Sequence, residues 1–380
     1  MAEDVAVVGW AQTVHSHEMA RRTDLGLAYS VVNAALDSCG LSIGDIEVVI
    51  DAGSDFLDGR GISNCVAADA LGAHLKEESK VAGDGLLAAI YAYMRLRTGM
   101  FSTALVVAYG KSSQSGPSAQ SRSMAEPFYT RPLGLDALAA AALQARSYTR
   151  HYGVDGSAPA RVAVKNRAAG VENPHAQLRT AVSLGEVLGS REVAPPIREL
   201  EAGPVSDGAC ALVMTEGSVA RALRARPAWL VGVGMCTDPY FLGSRDLQRC
   251  TPAAKAARSA YRQAGVFDPG RDLDLVELSE PYAYQELMLC EALGLCDEGE
   301  GADLLASGTT TRDGGLPVNV SGGVTCANPL VATGLVRLAE AAAQVTGRAG
   351  PLQVRDAKRA LAHSSGGLAM QTAACAVVER

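Results

Sequence analysis

"TPAAKAARSAYRQAGVFDPGRDLDLVELSEPY", residues Thr251–Tyr282, decides the fold because an earlier stretch has the same grammar. That stretch is "LGLAYSVVNAALDSCGLSIGDIEVVIDAGSD", residues Leu25–Asp55. Each reads as a long helix with apolar residues three and four apart, a glycine stop, an Asp-bearing turn, and a short apolar run of strand type. Each also follows a similar strand, "VAVVGWAQT" (Val5–Thr13) in one case and "AWLVGVGMCTD" (Ala228–Asp238) in the other. A repeat of this length predicts duplication, with two βαβ-type halves sharing one core. Two unrelated βα units that happen to look alike are the plainer alternative.

The composition suits that reading. Of 380 residues, 48% are hydrophobic and 20% charged, so the chain can bury a large α/β core. A formal net charge of −7 argues against a general nucleic-acid binder. Nine scattered cysteines without a CxxC pair point to a reduced protein with no zinc site of its own. The start resembles no signal peptide, and no apolar run is long enough for a membrane helix, so a cytoplasmic protein is expected. Between the halves lies a stretch of different character, from about 112 to 203, with helical patterns of its own. It reads as an inserted cap. Its basic residues Arg146, Arg150, Arg161, Lys165 and Arg167 could hold an anion, or could simply form a solvated helix face.

"KVAGDGLLAAIYAYMRLRTGMFSTALVVAYG" (Lys80–Gly110) reads as a glycine corner, a helix and a buried strand. The corner would aim backbone N–H groups at an oxyanion beside Gly83 and Gly85. The same residues could merely pack a helix on a strand, with Asp84 as its N-cap.

Several local phrases resemble the thiolase superfamily, and within it the sterol-carrier-protein-type thiolases. "PVSDGACALVM" (Pro204–Met214) is similar to their "SDGAAAL" strand, and "VAVKNRAAGVENPHAQLR" (Val162–Arg179) resembles their insertion domain. "ELSEPYAYQELMLCEALGLCDEGEG" (Glu277–Gly301), "LPVNVSGGVTCANPLVATG" (Leu316–Gly334) and "ALAHSSGGLAMQ" (Ala360–Gln371) are similar to three further segments. The resemblance runs nearly end to end. It implies a five-layered αβαβα fold with duplicated βαβαβαββ halves and a helical insertion. One half would comprise 1–111 and 204–222, the insertion 112–203, and the other half 223–380.

The catalytic positions depart from the family. Ala82 stands where thiolases carry their nucleophilic Cys, Ser279 where they carry Asn or His, and Asn328 where they carry the "GHP" His. Their second Cys falls near Ser364 and Ser365. A substitute nucleophile is expected in Cys326, placed just before a helix that would start at Asn328–Pro329, where the helix field would favour a thiolate. An inert loop cysteine is the alternative. His363 and Glu280 are candidate acid/base groups, the first as a neutral imidazole, the second as a carboxyl in an apolar cleft. His363 could equally be structural, and Glu280 or Ser279 could cap the next helix. Asn328 is an N-cap or a donor to a thioester carbonyl. Gly83, Gly85, Ser279, Tyr282, Gly322, Gly323 and Gly366 are the candidate positions for holding the coenzyme A thioester.

The resemblance implies a thiolase-type acyl-CoA C-acyltransferase, acting on a C–C bond next to a thioester of a bulky aryl-acyl or steroid side-chain acid. Coenzyme A or acyl-CoA would be substrate, with no tightly bound cofactor. A retro-aldol acyl-CoA lyase and a silent acyl-CoA-binding subunit are the alternatives. A homodimer formed through the first half is expected, with Thr103–Tyr109 near the interface, because thiolase dimers pair edge strands of that half. So is a small zinc-ribbon/OB-fold (DUF35-type) subunit that carries the zinc and completes a heterotetramer, with neither nucleic acid nor membrane as partner.

Overall fold

The computed structural model describes residues 4–55, 59, 61–223 and 226–380. The first half supplies β1 (Val5–Gln12), β2 (Val48–Gly53), β3 (Glu77–Ala82) and β4 (Thr103–Lys111). A hairpin of β5 (Glu192–Ala194) and β6 (Ile197–Arg198) follows in the insertion, and then β7 (Asp207–Glu216). The second half supplies β8 (Ala228–Thr237), β9 (Leu275–Glu277), β10 (Arg359–Gly366) and β11 (Thr372–Glu379). The large sheet runs β3-β2-β4-β7-β1-β8-β11-β10-β9. The halves meet at β1 and β8, through the pairs Ala6↔Trp229 and Val7↔Ala228.

Helices set the layers. Gly85–Arg97 and Thr333–Thr346 lie between the inner faces of the two sets of strands. Leu86, Ile90, Leu335 and Leu338 share one core with Ile50 and Val106 of the first half and with Ala362 and Ala376 of the second. Every residue of Thr333–Thr346 is buried, as expected of a helix enclosed on all sides. The outer faces are covered by amphipathic helices. Asp24–Cys39 packs Leu27 and Val31 on Val8 and Val213, and Thr251–Ala264 packs Ala256 and Ala260 on Leu361 and Val377. The result is helix, sheet, helix, sheet, helix, which is the expected five-layered αβαβα class.

One expectation is corrected. Thr103–Tyr109 cannot pair with a second copy, because β4 is hydrogen-bonded to β2 on one side and β7 on the other. The outermost strand of the first half is β3. An unbroken run of buried residues in β4 is the mark of a central strand covered on both faces, not of an edge.

Helices Ala137–Tyr152 and Ser157–Gly170 lie between β4 and β7 in the chain, and both pack on the second half, with Tyr148 and Val162 in a core shared with Tyr284 and Leu287. Two of the basic residues read there as a surface are internal. Lys165 pairs with Glu286 at 2.7 Å, and the Arg167 guanidinium donates to the Thr180 carbonyl. Arg146, Arg150 and Arg161 are exposed.

Candidate active site

The first half's corner forms where β3 ends at the exposed Ala82. Asp84 has extended backbone and caps the helix Gly85–Arg97, Oδ1 accepting the Leu86 N–H at 2.8 Å. Its Oδ2 accepts the Gly334 N–H at 2.9 Å, at the start of the other central helix. One carboxyl thus closes the N-terminal ends of two helices from different halves. Both positive helix ends favour its charged form. Glycines permit the meeting: a Cβ on Gly334 would collide with Asp84 Oδ1, and one on Gly85 would lie 2.6 Å from Leu335 Cβ. Ser364 of β10 lies beside the Asp84 carboxyl and favours its charged form. Desolvation outweighs these hydrogen bonds and the Arg337 charge, and pushes Asp84 up to about 6. Asp84 is half-buried.

The second half's loop, running up to Gly334, is held from below by buried carboxyl groups. Glu277 accepts from Ser321 N at 3.1 Å and Ser321 Oγ at 2.6 Å, and pairs with Arg337 at 3.0 Å. Asn319, at φ +57°, accepts the Leu278 N–H at 2.7 Å and donates to Glu286 at 2.9 Å. Glu280 Oε1 accepts the Val324 N–H at 3.0 Å.

This bracing corrects several expectations. No helix begins at Asn328–Pro329; a 3-10 turn, Leu330–Ala332, comes first and the α-helix starts at Thr333. Cys326 therefore lacks the helix field that was to ionise it. It is fully buried, its thiol donates to the Asn166 carbonyl at 3.3 Å, and burial pushes it up to about 12. A neutral, enclosed thiol is no nucleophile at neutral pH. Asn328 does not cap: its N–H donates to Ser206 Oγ at 2.9 Å and its Oδ1 receives the Thr333 hydroxyl at 3.4 Å. It is half-exposed, and lies just before the 3-10 turn that leads to Gly334.

Glu280 is fully buried under the loop, and desolvation with the nearby Glu286 charge raises it well above the carboxylate range. It stands as a neutral acid that pins the loop, out of reach of a ligand at the surface. His363 is also fully buried, and desolvation pushes it down to about 3. Neither ring nitrogen has a hydrogen-bond partner among the described residues. Alternation along β10 explains its place: Ser364 faces the central helices, so His363 faces the opposite side. The structure does not bring His363, Glu280 and Cys326 to the Asp84 corner.

The glycine positions divide as well. Gly83 and Gly366 are half-exposed. Gly85, Gly322 and Gly323 are buried, and their hydrogens are needed for packing; a Cβ on Gly322 would lie 2.8 Å from Cys326 Sγ, and one on Gly323 would strike Glu280. These three offer no face to a ligand. Ser279 is buried, its carbonyl accepting the Ser365 hydroxyl at 2.9 Å. Tyr282 lines a small cavity of about 90 Å³ with Tyr284 and Glu201, its phenol pushed up to about 12 by burial.

An open apolar groove of about 440 Å³ adjoins the last turn. Leu133, Leu135 and Leu143 of the insertion face Phe241, Leu242 and Leu247 of the second half across it. Leu242 packs on Leu368 and Ala369, and the Arg245 guanidinium donates to the Leu368 carbonyl at 2.8 Å. The groove is thereby tied to the turn that follows Ser364. Among the described residues no three His, Cys, Asp or Glu gather as a metal-ligand set.

Sequence reasoning read Asp84 only as a cap and did not single out Arg337, Glu277 or Asn319. One signal was available: Arg337 and Glu340 are charges inside the otherwise apolar helix sequence "GLVRLAEAAAQV". Buried charges of this kind are kept only when paired.

Residues 235–380 match the family described as thiolase C-terminal domain-like. The acetyl-CoA acetyltransferase of Methanothermobacter thermautotrophicus is 35% identical over 60% of this chain and 59% of its own length. Human sterol carrier protein 2 is 34% identical over 58% of this chain and 41% of its own. The benzoylsuccinyl-CoA thiolase subunit BbsB of Thauera aromatica is 30% identical over 60% of this chain and 59% of its own. The matches thus span between about two fifths and three fifths of these relatives. The solved structure of an Ltp2-ChsH2(DUF35) aldolase superposes over 99% of this chain and 97% of its own, with a TM-score of 0.85 at 24% identity. Its likeness is one of fold. Residues 235–380 thus match a thiolase C-terminal domain-like model, and the chain is similar to thiolase-type relatives and takes a thiolase-like fold.

Proposed function

We propose that this chain acts on the bond between Cα and Cβ of an acyl-CoA thioester by aldol-type acid–base chemistry, without an acyl-enzyme. The observation that carries this is the corner itself. Ala82 has no nucleophilic atom, the enclosed Cys326 thiol cannot replace one, and the carboxyl of the half-buried Asp84 sits at the joined helix starts instead. The half-exposed Asn328 amide would steady the thioester enolate oxygen, since the Gly83 N–H is spent on the Gly53 carbonyl at 3.2 Å. The apolar groove of Leu133, Leu143 and Phe241 would take a bulky, apolar acyl group.

The acyltransferase reading is favoured by the names of the relatives, an acetyl-CoA acetyltransferase and a thiolase subunit. The two separate on one measurement. An aldol-type lyase cleaves a 3-hydroxyacyl-CoA with no free coenzyme A, whereas thiolytic cleavage of a 3-oxoacyl-CoA consumes it. Cleavage strictly dependent on free coenzyme A would replace the first reading with the second.

The working assembly in this reading is a homodimer joined through the β3 edge, with a zinc-bearing DUF35-type subunit completing a heterotetramer. It is supported by the free side of β3 and by the DUF35 component named with the fold neighbour. Zinc content near zero in the chain alone, rising when a small subunit co-purifies, is the expected result. Stoichiometric zinc in the isolated chain would contradict it.

A further inference from the structure

We propose that Asp84 is the group that moves the proton in this site: its carboxylate takes the proton from the substrate's β-hydroxyl, and its acid form returns it to Cα. The inference rests on the aldol-type reading above and names the residue that performs it.

The geometry is specific to this carboxyl. Each oxygen accepts a different helix-start N–H, Leu86 of the first half and Gly334 of the second, and Ser364 of β10 lies beside the carboxyl. A side chain so held has a fixed direction before substrate arrives, as acid–base catalysis requires. A cap needed only by the helix Gly85–Arg97 would not require the Gly334 contact, nor the missing Cβ that allows it. The residues leading to it, Ala82 and Gly83, are exposed and half-exposed and have no bulk to block approach.

The step balances. The Asp84 carboxylate removes the β-hydroxyl proton, and the C–O electrons form a carbonyl at Cβ. The Cα–Cβ bond breaks, its electron pair passing to the thioester as an enolate. The proton on Asp84 then goes to Cα, leaving a ketone or aldehyde and a shortened acyl-CoA. No oxidant, reductant or free coenzyme A enters.

Burial pushes Asp84 up to about 6, so it is ionised at neutral pH yet near enough to accept and return a proton. The groups around it are few. Arg337, from the helix Thr333–Thr346, favours its ionised form, and Glu277 and Glu340 lie against that guanidinium. On β10, His363 is held neutral and adds no charge. On its own helix the basic residues are Arg95 and Arg97, in the last turn. On β4, Lys111 is engaged by the Met19 and Arg22 carbonyls.

The test uses the full chain with any subunit that co-purifies, and acetyl-CoA and propanoyl-CoA in D₂O as probes. Wild type is expected to exchange the Cα protons for deuterium, with a rate that rises through about pH 6. Asp84→Asn, which can still accept the Leu86 N–H through its oxygen but loses the Gly334 bond, should slow exchange by about 10²–10⁴-fold. Asp84→Glu should recover part of the rate and the rising limb. Wild-type exchange with a flat profile from pH 5 to 8 would overturn the proposal without any variant. So would Asp84→Asn exchanging at the wild-type rate, with the aldol-type reading left standing. Wild type that neither exchanges nor cleaves a 3-hydroxyacyl-CoA without coenzyme A would overturn the reading itself, and this inference with it.

Discussion

The corner at Ala82–Gly85 and the loop Leu316–Gly334 sit on opposite halves of a duplicated molecule and have opposite characters. The corner is thin, partly open and made of small residues around one carboxyl. The loop is enclosed, its backbone fastened by Glu277, Glu280 and Asn319, and its only sulfur is hidden. The lesson is that the place richest in chemically suggestive residues is the framework, while the place that looks empty in sequence is the more exposed of the two. The two are joined by the Asp84–Gly334 hydrogen bond.

The largest effect should come from breaking the framework. Arg337→Ala leaves Glu277 buried without its cation and should cost about 3–5 kcal/mol in denaturant unfolding. The paired replacement Glu277→Gln/Arg337→Met should return most of that loss. If the single change costs under about 1 kcal/mol, the bracing does not hold the loop.

Next comes acid. His15 and His363 are both pushed down to about 3 by burial. Their folded pKa lies below the unfolded value near 6.5, so the unfolded state binds more protons. The stability they contribute is full above pH 6.5 and is lost as pH falls toward 3. At pH 4 the loss is at most roughly 3 kcal/mol per histidine, and His363→Gln should make the acid limb of a melting-temperature profile shallower. An unchanged limb would mean that His363 is not the buried neutral group described here.

Gly334→Ala attacks the connection itself. Its methyl would occupy the space of Asp84 Oδ1, so the cross-half hydrogen bond must break, at about 1–3 kcal/mol. Activity should fall far more than stability, because the carboxyl loses its direction. Equal, small changes in both would separate the corner from the chemistry.

The smallest effect is expected at Cys326. Cys326→Ala should cost about 1 kcal/mol in stability, through a lost thiol contact to Asn166, and leave turnover within a few-fold of wild type. Loss of turnover together with loss of an acyl adduct on the Cys326 peptide would restore the loop as the reacting element.

The sequence carried the class of fold because that depends on local grammar. Strand, helix, glycine stop and buried strand recur at Val5–Asp55 and Ala228–Tyr282, and periodicity and stop residues are read one segment at a time. It also determined that Ala82 has nothing to attack with, since a missing atom is visible without coordinates. The site was a different matter. Cys326 looked poised because Asn-Pro commonly opens a helix, yet Leu330 at φ +38° and a 3-10 turn delay the helix to Thr333, and the loop folds its sulfur inward. Thr103–Tyr109 looked like an edge until β7, about a hundred residues later in the chain, took its second side. Asp84 reads as an ordinary cap in any local window, and what makes it more is an N–H from residue 334. Burial, field and partnership between distant residues are properties of packing, and only the assembled halves decide which charged group faces water, which faces a neighbour, and which faces nothing.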